Sequence, residues 1–155
     1  MRETALVKPL RLVLLGVALA AIFPARSASA KPNWLTDFKQ AQAEAKAQKK
    51  FLLVDFTGSD WCGWCIRLER EVFSKPEFEA YASKNLILLE IDFPRGKAQS
   101  AELKQQNQQL AQQLGIQGFP TVVVFDHEGK PVGALGYTPG GPEPFLAALE
   151  KLRDG

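Results

Sequence analysis

Cys62 and Cys65 are the only cysteines in the 155 residues, and two residues separate them in the pentapeptide Trp61-Cys62-Gly63-Trp64-Cys65. This spacing constrains the chain in two ways. A bridge across so short a loop removes little entropy from the unfolded state, so the fold has to be held by a hydrophobic core and not by disulfide staples. The same spacing suits reversible chemistry. At a helix N-terminus the macrodipole and the unpaired N–H groups favour the thiolate of the first cysteine, the species that attacks disulfides, and the second is then placed to resolve the mixed disulfide.

Residues 1–30 read as a secretory signal. Arg2, Lys8 and Arg11 form a positive start, Leu12 to Phe23 is an apolar run of 12 residues, and Ala28-Ser29-Ala30 is a small-x-small cleavage site, with the cut expected after Ala30. The run is shorter than the roughly 20 apolar residues of a membrane span. Of the 19 basic and 17 acidic residues in the chain, this segment carries 4 and 1, leaving 15 and 16 and a net charge of −1 on residues 31–155. The apparent basicity therefore belongs to the export signal, and nothing in the remainder points to nucleic acid or to an anionic lipid surface. Those 125 residues make one domain, long enough to bury a core of its own. An exported domain that keeps a single CxxC pair is expected to use it for exchange.

Along that domain, Asn33 is expected to cap a helix through Trp34, Leu35, Phe38, Ala41 and Ala45, ending at Lys49-Lys50. The nearly continuous apolar run Phe51 to Phe56 predicts a strand buried on both faces, and Thr57-Gly58-Ser59-Asp60 a turn. A helix is expected from Gly63, interrupted by Pro76 before a short segment from Glu77 to Ala82. Leu86 to Phe93 predicts a second buried strand, parallel to the first because a helix intervenes. Ser100 to Leu114 predicts a helix with Leu103, Leu110 and Leu114 inward and Gly115 as its C-cap, despite six glutamines. Thr121 to Phe125 and Lys130 to Leu135 predict a hairpin around Asp126-His127-Glu128-Gly129, and Pro144 to Leu152 a closing helix.

This order, with the CxxC after the first strand, resembles the thioredoxin family over Asn33 to Arg153. Val54-Asp55-Phe56 leading into Trp61-Cys62-Gly63-Trp64-Cys65, Gly118-Phe119-Pro120-Thr121, and Gly136 before the last helix carry the resemblance. It implies an α/β thioredoxin fold, a central mixed β-sheet flanked by helices. It also implies that Cys62 is the attacking thiolate and Cys65 the resolving thiol, the two forming a redox-active disulfide. Asp55, costly to bury at the end of an apolar strand, is then the candidate proton shuttle for Cys65. Pro120 would be a cis-proline facing the dithiol, leaving the backbone of Phe119 free for an extended substrate. Trp61 and Trp64 flank the sulfurs as candidate substrate contacts, with packing under the active-site helix the other reading of Trp61. Gly63-Trp64 stands where thioredoxin carries Gly-Pro, so Trp64 restores an N–H able to solvate a thiolate while its indole excludes water.

Other classes lack ligands. Two cysteines and the lone His127, expected on a hairpin tip, are too few for a closed zinc site, and Ile66 stands where covalent haem attachment needs histidine. No metal and no cofactor are therefore assigned. The expected function is an exported thiol-disulfide oxidoreductase, periplasmic or secreted, that reduces disulfides of envelope or secreted proteins. Its partners would be protein thiols and disulfides and a membrane redox partner that re-reduces it. No nucleic acid is implied, and a monomer is expected because the sequence holds no dimerisation platform. A disulfide oxidase or isomerase, and a thiol-dependent copper carrier or partner-binding module, are the alternatives.

Overall fold

Strand β2 (Phe51–Thr57) is buried almost throughout, as its apolar run predicts, and it forms the centre of a five-stranded sheet. The computed structural model describes residues 32–155; the signal read in residues 1–30 lies outside the described residues. The other strands are β1 (Trp34–Leu35), β3 (Leu86–Asp92), β4 (Thr121–Phe125) and β5 (Pro131–Leu135), in the sheet order β1-β3-β2-β4-β5. β3 runs parallel to both β1 and β2, whereas β4 is antiparallel to β2 and to β5. The sheet is thus mixed. Its helices are α1 (Phe38–Gln48), α2 (Gly63–Leu68), α3 (Pro76–Asn85), α4 (Ala101–Gln113) and α5 (Pro142–Asp154).

The period of two along each strand sorts the core into two layers. Leu53, Leu88, Val122 and Val124 face one side, where Leu68, Val72, Phe73, Phe78, Phe145 and Leu149 cover them. Leu52, Val54, Phe56, Ile87, Leu89 and Val123 face the other, beneath Ala41, Ala45 and Leu110. Asp55 has the parity of Leu53, so the sheet directs it to the same side as α2 and Cys65.

Four local expectations change. Trp34 and Leu35 do not begin a helix: they form β1, in register with Leu88 and Leu89, and α1 starts at Phe38 with Asp37 as its N-cap, accepting from Gln40 N at 2.8 Å. The edge of β3 satisfies the backbone there, and Trp34 packs on Phe73 with ring centroids 5.1 Å apart, which outweighs the helical spacing of Leu35, Phe38 and Ala41. The helix from Gly63 passes into a π-helical turn, Glu69–Phe73, before Pro76 opens α3, which runs on to Asn85. In α4, capped by Ser100, Leu110 is buried and Leu114 packs partly buried on the core as expected, but Asn107 is buried too; the C-cap is Leu114, and Gly115 follows it with φ +64°. β5 starts at Pro131, and α5 is longer at both ends than Pro144 to Leu152.

Candidate active site

The C-terminal end of β2 delivers the chain into a tight turn. Gly58 O accepts from both Trp61 N and Cys62 N, at 3.1 and 2.8 Å, which folds residues 58–62 back and places Cys62 as the N-cap of α2. Cys62 and Cys65 are disulfide-bonded with Cα atoms 5.2 Å apart, and they are 7% and 4% exposed. Cys65 N donates to Cys62 Sγ at 3.3 Å. The N–H aimed at the first sulfur is therefore that of Cys65 and not, as the sequence suggests, that of Trp64.

Trp61 is clamped. Its Nε1 donates to Phe93 O at 2.7 Å, its ring meets Phe119 edge-on at 6.1 Å, and the Arg95 guanidinium lies 3.9 Å from its ring centroid. A Cβ at Gly58 would fall 2.5 Å from Trp61 Cε2, so glycine makes room for the indole. The loop after β3 is stapled to the same turn. Asp60 accepts from Arg95 N at 3.0 Å and from Gly96 N at 2.6 Å, and Asp92 accepts from Ser59 N and Oγ. The bonds from Arg95 N and Gly96 N hold the Asp60 carboxyl below its ordinary range. Both readings of Trp61 thus have a share, since it packs and is still partly exposed.

Trp64 is 56% exposed on the opposite side of the disulfide. Its ring lies 5.3 Å from that of Tyr137, and Arg67 covers both rings at 5.6 Å. Glu71 ties the group together: its Oε1 accepts from Arg67 Nε at 2.8 Å and its Oε2 from the Tyr137 hydroxyl. The Tyr137 and Arg67 hydrogen bonds pull the Glu71 carboxyl down to about 2.

The Phe119–Pro120 peptide bond is cis. Thr121, the first residue of β4, pairs with Phe56, so Phe119 and Pro120 extend just past the ladder, level with the turn that carries Cys62. Among the described residues no backbone hydrogen bond takes up the N–H or C=O of Phe119. Gly136 lies beside Pro120 O, where a Cβ would come within 4.0 Å, so the strip next to Pro120 is free of side chain.

Beneath the disulfide, Asp55 and Cys65 line one cavity of about 500 Å³ together with Trp34, Glu69, Glu90 and Lys97. Asp55 is 7% exposed, and its Oδ1 has no hydrogen-bond partner among the described residues. Burial, reinforced by Glu90, Glu69 and Asp92, raises its pKa well above the ordinary carboxylate range. Burial likewise raises Glu90. Of the residues named from the sequence, Cys62, Cys65, Trp61, Trp64, Phe119 and Pro120 thus gather at one end of β2, with Asp55 below. His127 sits apart, in the β4–β5 turn, and among the described residues no group of three or more His, Cys, Asp or Glu side chains could hold a metal. Sequence reasoning missed Asp60, Glu71, Arg95 and Tyr137; the last had one signal, its place directly after Gly136.

A family model for the thioredoxin-like domain matches residues 38–153. The chain is 36% identical over 129 residues to the disulfide bond reductase DsbH of Chlamydia pneumoniae, covering 81% of this chain and 77% of that protein. It is 36% identical over 119 residues to the thiol:disulfide interchange protein DsbD of Vibrio vulnificus, covering 75% of this chain but 18% of that protein. Among solved structures, a DsbH oxidoreductase superposes with a TM-score of 0.77 at 32% identity, covering 86% of this chain and 92% of that one.

Proposed function

The chain belongs to the thioredoxin-like family and is a thiol-disulfide oxidoreductase, and from that premise we propose that it is an exported reductase of protein disulfides. The observation that carries the direction of electron flow is the likeness to a disulfide bond reductase along most of both chains, with the Cys62–Cys65 couple set at the strand-to-helix turn. Residues 1–30 direct export, and residues 31–155 work in the periplasm as a monomer on protein thiols, with a membrane dithiol donor.

The reduced protein begins the cycle. Cys62, as thiolate, attacks one sulfur of a substrate disulfide; a Cys62–substrate bond forms, and the other substrate sulfur leaves as a thiolate. The extended substrate lies against the backbone of Phe119 and Pro120, between Trp61 and Trp64. Cys65 then attacks Cys62 Sγ, releasing the second substrate thiol and closing the Cys62–Cys65 disulfide. Two electrons have passed from the dithiol to the substrate. Cys65 must lose its proton for this step, and Asp55, on the same cavity and held at a raised pKa, accepts it. The N–H of Cys65 and the start of α2 favour the thiolate of Cys62.

Cys65→Ser is expected to trap covalent Cys62-linked partners from the host envelope, and recovery of none counts against the mechanism. Equilibration of the Cys62–Cys65 couple in graded glutathione buffers sets the direction. A potential more negative than the glutathione pair supports a reductase, and a more positive one makes the protein an oxidant or isomerase.

A further inference from the structure

The side chains around the disulfide form a continuous rim. Arg95 lies on Trp61, Trp61 meets Phe119, Pro120 adjoins Gly136, and Tyr137 stacks on Trp64 beneath Arg67. The charges on this rim are not equivalent. Arg67 and Arg70 both reach Glu71, at 2.8 and 3.3 Å, so on the side of the aromatic plate each cation already has a carboxylate partner. On the other side the carboxylates are taken up by N–H and hydroxyl donors: Asp60 by Arg95 N and Gly96 N, and Asp92 by Ser59. Lys97 donates to Ser59 Oγ at 2.9 Å and lines the cavity under the disulfide. The Arg95 guanidinium, exposed and laid on the Trp61 indole, has no carboxylate partner among the described residues.

We infer that Arg95 is a specificity-determining residue, which selects target disulfides whose cysteine is flanked by an aspartate or glutamate side chain. A guanidinium stacked by its face keeps its in-plane N–H donors free, in the fork that fits a carboxylate. The indole below shields it from water on one side and strengthens the charge it presents. Its backbone is fixed to the turn bearing Cys62 by the two bonds to Asp60, so the donor stands at a set place beside the sulfurs and little freedom is lost on binding. A substrate strand along Phe119 then offers one flanking side chain to Arg95 and the other to the Trp64–Tyr137 plate.

This inference rests on the oxidoreductase reading. The test uses the purified protein with dithiothreitol as donor and two synthetic peptides, each with one disulfide, flanked by glutamate in one and by lysine in the other. Wild type is expected to reduce the glutamate peptide with a kcat/KM about fivefold higher, as fits a partly exposed ion pair, and the preference should shrink in high salt. Arg95→Glu should invert the preference, Arg95→Ala should abolish it, and Arg70→Ala should leave it as it is. A preference unchanged in Arg95→Glu, or one that follows Arg70, overturns the inference alone. Exchange with neither peptide overturns the oxidoreductase reading and this inference with it.

Discussion

Asp55 and Glu90 are direct register partners on the parallel strands β2 and β3, so their side chains leave the sheet on the same face, towards the cavity that Cys65 also lines. Burial raises both carboxyls, and the neighbouring Glu90 adds to the rise at Asp55. Asp55 is ionised only at a cost, which makes it a better base near neutral pH than an ordinary aspartate. Asp55→Asn should slow substrate release from the Cys62 mixed disulfide on the order of 100-fold while leaving attack nearly unchanged. Stopped-flow measurement of both steps checks this, and equal slowing of the two removes Asp55 from the proton transfer.

The same pair fixes a pH dependence. Because the folded pKa of Asp55 lies above the unfolded one of about 3.9, its cost is absent only well below that value, at about pH 3, where the carboxyl is protonated in both states. The cost grows as pH rises through the raised pKa. The oxidised Asp55→Asn protein should therefore be more stable than wild type at pH 7, by a margin that shrinks as pH falls and reaches its minimum at about pH 3. Glu90→Gln should lower the pH at which Asp55 titrates, since it removes the first of the neighbouring charges that raise it. Urea melts at a series of pH values would show both effects, and a difference that grows towards low pH would contradict them.

Glu71 predicts the opposite sign. Its carboxyl, held near 2 by Tyr137 and Arg67, stabilises the Trp64 plate above pH 4.5 and gives up that contribution only as pH falls towards 2. The near-ultraviolet circular dichroism of the Trp64–Tyr137 pair should accordingly be the same at pH 7 and pH 4.5 and fade below about pH 3. In Tyr137→Phe, which lacks the phenolic donor, the fading should begin at a higher pH. An unchanged midpoint in that variant would show that Arg67 alone sets the Glu71 pKa.

Much of this site was legible in the sequence, and the part that was not has a common cause. Cys62 and Cys65 announce themselves by spacing, Asp55 by its misfit in an apolar strand, and Phe119-Pro120 by position within a family pattern. Each of these signals is local or motif-borne. The contacts of Trp61 with Phe93 and Arg95, and of Glu71 with Tyr137, join residues 32 to 66 positions apart, and no periodicity records them. Trp34 and Leu35 fail for a related reason: a two-residue strand has no pattern of its own and exists because β3 offers it an edge. The π-helical turn after α2 is equally silent, since its residues keep an amphipathic spacing close to that of a helix.

Gly58 carries a prediction about the clamp on Trp61. Alanine there would place its Cβ 2.5 Å from the indole, a distance that requires the ring to move. Trp61 would then lose its bond to Phe93 O and its contact with Phe119 together. Gly58→Ala should cost about 1–3 kcal/mol of stability, as overpacking usually does. It should also raise KM for a protein disulfide more than for a small one such as oxidised glutathione. Thermal and urea melts give the first quantity and steady-state kinetics the second; a variant with normal stability and normal KM would show that the turn can relax around the methyl group.

Phe145 tests whether the core and the chemistry separate. It is buried in α5 and packs edge-on against Phe73 at 5.6 Å and Phe78 at 6.2 Å, and Phe73 belongs to the π-helical turn that continues α2. Truncation to alanine removes a ring from a closed aromatic cluster, at a cost of about 3–5 kcal/mol. Phe145→Leu refills most of that space and should cost less than about 1.5 kcal/mol. Because Gly58 O and Phe93 O hold the Cys62 turn through bonds in which Phe145 takes no part, the potential of the Cys62–Cys65 couple in the folded fraction should stay at its wild-type value in Phe145→Leu. A shift of that potential by about 30 mV, a tenfold change in the redox equilibrium, would mean instead that packing beneath the π-helical turn is transmitted to the sulfurs.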